Sequence, residues 1–108
     1  MMSVIVIKPK RYDTSYMDID GSLESLQKLV GGYIEPCAPA ELRERGIELL
    51  ANEEGLLKGL EPNRNLYPFF LVGTLVAVGV GEDEFTGLSA EQMRYLVNWL
   101  HRLDQLNY

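Results

Sequence analysis

Ile47-Glu48-Leu49-Leu50-Ala51-Asn52-Glu53-Glu54-Gly55-Leu56-Leu57-Lys58-Gly59-Leu60-Glu61-Pro62-Asn63-Arg64 changes character halfway along. Residues 47–51 read as a strand. Residues 52–55 read as a turn, and Leu56 with Leu57 reads as the start of the returning strand of a hairpin. Residues 61–68 follow as a loop punctuated by Pro62 and Pro68. Residues 69–80 then read as one long strand, whose glycines mark bulges or places where another backbone comes close. A polar loop held between apolar strands sets the fold class and also marks where function tends to sit.

Working outward, residues 4–7 (Val-Ile-Val-Ile) form an apolar β-branched run. Apolar on both faces, it reads as a central strand. Residues 12–20 read as a polar loop. Ser22 is a candidate N-cap for a short helix whose Leu23, Leu26, Leu29 and Val30 share a face, and Gly31-Gly32 ends it. Residues 33–37 read as a strand, with Pro36 placing its end at a sheet edge. Pro39 and Gly46 suit the first position and the C-terminal stop of one or two helical turns. Residues 81–84 form an acidic turn that reads as a solvated connection; a calcium loop would need more oxygen ligands at regular spacing. Ser89-Ala90-Glu91-Gln92 has the form of a capping box. Met93, Leu96, Val97, Leu100 and Leu103 then make an apolar stripe on a last helix. The expectation is a single α+β domain over residues 1–108, with a mostly antiparallel or mixed sheet of about four to five strands and two to three helices, the last one C-terminal.

The chain has 108 residues, 46% of them apolar and 24% charged, with a net charge of −6 from 16 acidic and 10 basic residues. That balance argues against duplex nucleic acid, which needs clustered cations. The one basic cluster, Lys8, Lys10 and Arg11, reads as a solvated strand end. The charge is also too modest, and too interspersed with basic residues, for mimicry of nucleic acid. Cys37 is the only cysteine, so neither an internal disulfide nor a thiolate metal cluster is expected, as suits a reducing compartment. The start of the chain does not read as a signal peptide, and the longest apolar run is shorter than the roughly 20 residues of a bilayer span. The expected location is the cytoplasm, with no membrane partner.

No catalytic constellation stands out. His101 is the only histidine and sits at the border of the last apolar stripe, with no second histidine for a zinc site or relay. Cys37 reads as a small, half-buried thiol. Gly79-Val80-Gly81 is too short for a dinucleotide fingerprint. No metal site, cofactor or catalytic residue is assigned. The binding candidates are Asn52, Glu53, Glu54, Lys58, Asn63 and Arg64, with Tyr33 or Tyr67 nearby. Arg64 offers a planar fork suited to carboxylate or phosphate. The competing explanations are a hairpin turn capped by Asn52 and an ion pair from Arg64 to Glu53 or Glu54. Tyrosines 12, 16, 33 and 67 fall in loops or at strand ends, where they suit a stacking rim or core-edge packing. Trp99 extends the buried face of the last helix or contributes to an oligomer contact. The long strand offers a second route to a homo-oligomer.

Several blocks occur in a specific order. They are Asp20; Ser22-Leu23-Glu24-Ser25-Leu26-Gln27-Lys28-Leu29-Val30-Gly31-Gly32-Tyr33-Ile34-Glu35; Asn52-Glu53-Glu54-Gly55; Asn63-Arg64; Gly73-Thr74; and Leu88-Ser89-Ala90-Glu91-Gln92. In these the chain resembles domain of unknown function 3846, a family of small proteins from phages and bacterial mobile elements. The resemblance runs from residue 4 to about residue 100. It implies an intracellular accessory protein and no particular activity. It also weights Asn52, Glu53, Gly55, Asn63 and Arg64 as the recognisable family loop. Together these readings lead to a binding module for a host protein or a small anionic ligand. The alternative is a small enzyme with Glu53 or Glu54 as general base and Arg64 as electrostatic stabiliser. A pocket where Arg64 and Lys58 converge would favour the anion; a flat exposed patch would favour a protein.

Overall fold

The computed structural model describes residues 1–9, 14–66 and 69–106. Tyr12 and Tyr67 lie outside these residues. The strands are β1 (Met2–Ile7), β2 (Thr14–Ile19), β3 (Ile34–Pro36), β4 (Ile47–Asn52), β5 (Pro62–Leu66), β6 (Phe69–Val72), β7 (Leu75–Val80) and β8 (Phe85–Thr86). The helices are α1 (Leu23–Val30), α2 (Ala40–Arg43) and α3 (Ala90–Leu106). The architecture is α+β. A six-stranded antiparallel sheet runs β2-β1-β7-β4-β3, with β8 beside β7, and β5 and β6 form a separate two-stranded ribbon.

The sheet has an apolar layer on each face. Val4, Val6, Leu50, Val76 and Val78 pack with Leu26 and Val30 of α1. Ile5, Ile7, Leu49, Leu75 and Ala77 pack with Leu42 of α2 and with Leu96, Trp99 and Leu100 of α3. The β-branched run at residues 4–7 is therefore buried on both sides, as its composition implies.

The cap and stop signals of α1 and the capping box of α3 operate as read, whereas Pro39 stands at the N-cap of α2, one residue before its first helical position. Ser22 caps α1 by accepting from the Ser25 N–H, and Gly31 ends the helix at φ 81°. At α3 the reciprocal capping box forms. The Gln92 N–H donates to Ser89 Oγ, and the Ser89 N–H donates to Gln92 Oε1. Gln92 Nε2 also donates to the carbonyls of Arg45 and Gly46, tying the start of α3 to the end of α2. Residues 81–84 turn between β7 and β8, closed by the Gly81 N–H donating to the Glu84 carbonyl.

Several expectations need correction. Residues 14–19 are not loop: they pair with β1 in unbroken register. As an edge strand with exposed residues on both faces, β2 lacks the apolar face by which a strand is recognised. The run 69–80 is two strands in two sheets, because Gly73 adopts φ +72° and turns the chain between them. Residues 62–66 are strand, as partner to β6. Along α3 Val97, expected in the apolar stripe, is exposed, while Trp99 extends the buried face, one of its two expected roles. Trp99 is buried and β7 lies inside the sheet between β1 and β4, whereas Phe70 of β6, in the same run, is exposed.

Candidate functional site

β4 delivers Asn52 to the end of the sheet, where it is buried. Its Nδ2 donates to the Val30 carbonyl at 3.3 Å, and its Oδ1 accepts from the Glu54 N–H at 2.9 Å. One side chain thus satisfies an orphan carbonyl of α1 and folds the following turn. A Cβ on Gly32 would lie 2.9 Å from Asn52 Nδ2, so the second glycine after α1 makes room for this residue.

The chain after Asn52 does not return as a strand. The Lys58 N–H donates to the Glu54 carbonyl, and the Leu60 N–H to the Gly55 carbonyl. These bonds close a compact turn that throws Leu56 and Leu57 outward, 72% and 89% exposed. Gly55 seats the turn against β6: a Cβ there would stand 2.7 Å from Val72 Cγ2.

Between this turn, β3 and β6 lies a cavity of about 620 Å³. Leu56, Leu57 and Phe70 give it apolar surface, and Phe70 is itself 67% exposed. Its charged lining residues are Glu35 and Glu53; Lys58 and Arg64 do not line it. Cys37 lies on the wall. Burial, then the nearby Glu48 and Glu35 carboxylates, push its thiol from 9.0 up to about 12, so it stays protonated near neutrality and is a poor nucleophile.

Asn63 and Arg64 belong to a different environment. A register shift between Pro62 and Arg64 leaves Asn63 outside the β5–β6 ladder. Its Nδ2 turns inward and donates to the carbonyls of Ile7 and Gly73 at 2.9 and 2.7 Å. Its Oδ1 accepts from Arg64 Nη1 at 3.0 Å. Arg64 is buried and pairs with Asp104 of α3. Nε sits 2.7 Å from Oδ1 without an aligned hydrogen bond, so that contact is chiefly Coulombic, and Nη2 reaches Oδ2 at 3.4 Å.

The six loop candidates therefore divide. Asn52, Asn63 and Arg64 are interior groups with intramolecular partners, and the Arg64 ion pair is made with Asp104 rather than with Glu53 or Glu54. Glu53, Glu54 and Lys58 are exposed. Tyr33 is 65% exposed, and its carbonyl accepts from the Glu53 N–H. His101 is exposed beside Gln105. The residues passed over were Leu56, Leu57 and Phe70. Their signal was two adjacent leucines in an otherwise polar stretch, read as the start of a strand. Glu48 was also unmarked. It is buried in β4, accepts from the N–H groups of Ala38 and Leu49, and pairs with Arg43.

Among the described residues no helix is long and apolar enough to cross a membrane. A family model described as "Domain of unknown function (DUF3846)" matches residues 2–101. No curated protein and no solved structure gives a significant match.

Proposed function

This chain belongs to the DUF3846 family, and from that premise we propose that it is a protein-binding module whose contact surface is the groove between β3, the turn after β4, and β6. The carrying observation is that Leu56, Leu57 and Phe70 stand exposed around a cavity whose charged lining residues are both carboxylates. Exposed large apolar side chains grouped at a concavity are what a docking surface offers. The partner suited to it is a peptide segment with an apolar or aromatic anchor flanked by Lys or Arg, which would face Glu35 and Glu53. A small anion fits this groove poorly, since Arg64 is turned into the core against Asp104 and Lys58 does not line the cavity. In the setting the resemblance suggests, the module is a cytoplasmic accessory protein of a phage or mobile element, and the segment belongs to a host protein.

Selection of a random peptide library on the immobilised protein tests this. Enriched sequences carry an apolar anchor with neighbouring Lys or Arg, and their binding falls at least about tenfold in Leu57→Ser and Phe70→Ser, a loss in the range of a modest interface hot spot. Enriched peptides that bind both folded variants as tightly as the wild type would remove the groove from consideration.

A further inference from the structure

β2 closes one end of the sheet. Its inner side pairs with β1 from Met2 opposite Ile19 to Ile7 opposite Thr14, and no described residue pairs with its outer side. A free edge presents a row of unpaired N–H and C=O groups, and proteins normally blunt it with shortness, proline, lysine or a bulge. The opposite edge is blunted: β3 has three residues and ends at Pro36. β2 has six residues, Thr-Ser-Tyr-Met-Asp-Ile, with no proline, no cation and no register shift. Its one charge does not guard the edge, because Asp18 Oδ1 accepts from Ser3 Oγ of β1 at 2.6 Å and is drawn inward. Ser15, Tyr16, Met17 and Asp18 are all exposed.

We propose that β2 is a dimerisation edge, which a second copy of this chain extends by laying its own β2 antiparallel across a twofold axis. The strand is self-complementary for this arrangement. Outward-directed backbone groups belong to alternate residues, so a twofold brings together either Tyr16 with Tyr16 or Met17 with Met17. In the first register Asp18 stands opposite a Thr14, and in the second opposite a Tyr16. Neither sets like charges face to face, and both place an exposed aromatic or thioether side chain at the centre. The two sheets then continue as one. The groove beside β3 stays at the far edge of each copy, so the dimer holds two grooves facing away from each other.

Sedimentation velocity of the full chain over a range of concentrations tests this, alongside the double variant Tyr16→Glu/Met17→Glu, which opposes like charges in both registers, in the second also against Asp18. The wild-type mass doubles as concentration rises, and the variant dimerises at least about tenfold more weakly. A wild type that stays monomeric at the highest concentration, or a folded variant that dimerises equally well, would overturn the proposal. If the variant fails to fold, hydrogen exchange of the wild type at low and high concentration decides. New protection confined to the β2 amides upholds the edge contact, and protection elsewhere without it refutes the proposal.

Discussion

Arg64 is a guanidinium taken out of water, with a side chain only 5% exposed, and its charge is matched by Asp104 at 8%. A buried pair contributes little net stability over apolar residues of similar volume, but removing one member leaves the other stranded. Arg64→Ala is therefore expected to cost about 3–5 kcal/mol in urea unfolding, whereas Arg64→Met with Asp104→Leu restores most of that loss. Cys37 gives a second expectation. Its pKa is raised in the fold, so its contribution to stability is complete below about 9 and is lost as pH rises from there toward 12. At pH 8 the native thiol should alkylate far more slowly than the same cysteine in the unfolded chain, because little of it is thiolate. The sequence showed the chemistry at 63–64 but not its direction. Asp104 is 40 residues away from Arg64, and nothing in local spacing joins them. Asn52 was legible as a backbone cap because its work is local to the turn it starts.

At the level of elements, α1 rests on a small polar knot at its start. Asp20 accepts from Ser25 Oγ and from the Ser22 N–H, and these bonds lower its pKa from 3.8 to about 2. The depressed value means the knot is intact above pH 4 and loosens as pH falls toward 2. The Ser22 and Ser25 amide resonances should report that midpoint in a titration. Ser22→Ala removes the cap itself and should lower stability by roughly 0.5–2 kcal/mol. At the other hinge of the fold, a Cβ on Gly73 would lie 2.8 Å from Leu60 Cδ1 while the backbone holds φ +72°. Gly73→Ala should lower stability by more than about 1 kcal/mol, read as a shift of the unfolding midpoint. Caps and glycine stops were readable because each is decided within one turn of chain. β2 and the break at Gly73 were not: a polar edge strand gains its order from β1, and the break depends on the ribbon that Gly73 must leave.

Across the whole molecule, one sheet separates two apolar layers that share no side chain. Leu26 anchors α1 on one face and Leu96 anchors α3 on the other. Leu26→Ala and Leu96→Ala should each lower stability by about 2–5 kcal/mol. Their effects should add to within about 0.5 kcal/mol in the double variant. Strong non-additivity would mean that the sheet transmits strain from face to face. The α+β class was legible at this scale because alternating strand and helix signals survive errors in any single element.

The β5–β6 ribbon, which carries Phe70, leaves the main sheet through the sharp bend at Gly73 and is held from below by Asn63 and Arg64. Such a ribbon is a natural cassette. Its outward residues can drift under selection while the bend and the two inward polar residues stay fixed. If the groove binds a partner as proposed, related chains could change what they bind without renegotiating how they fold, and a ribbon transplanted between family members together with those three positions should carry that preference along.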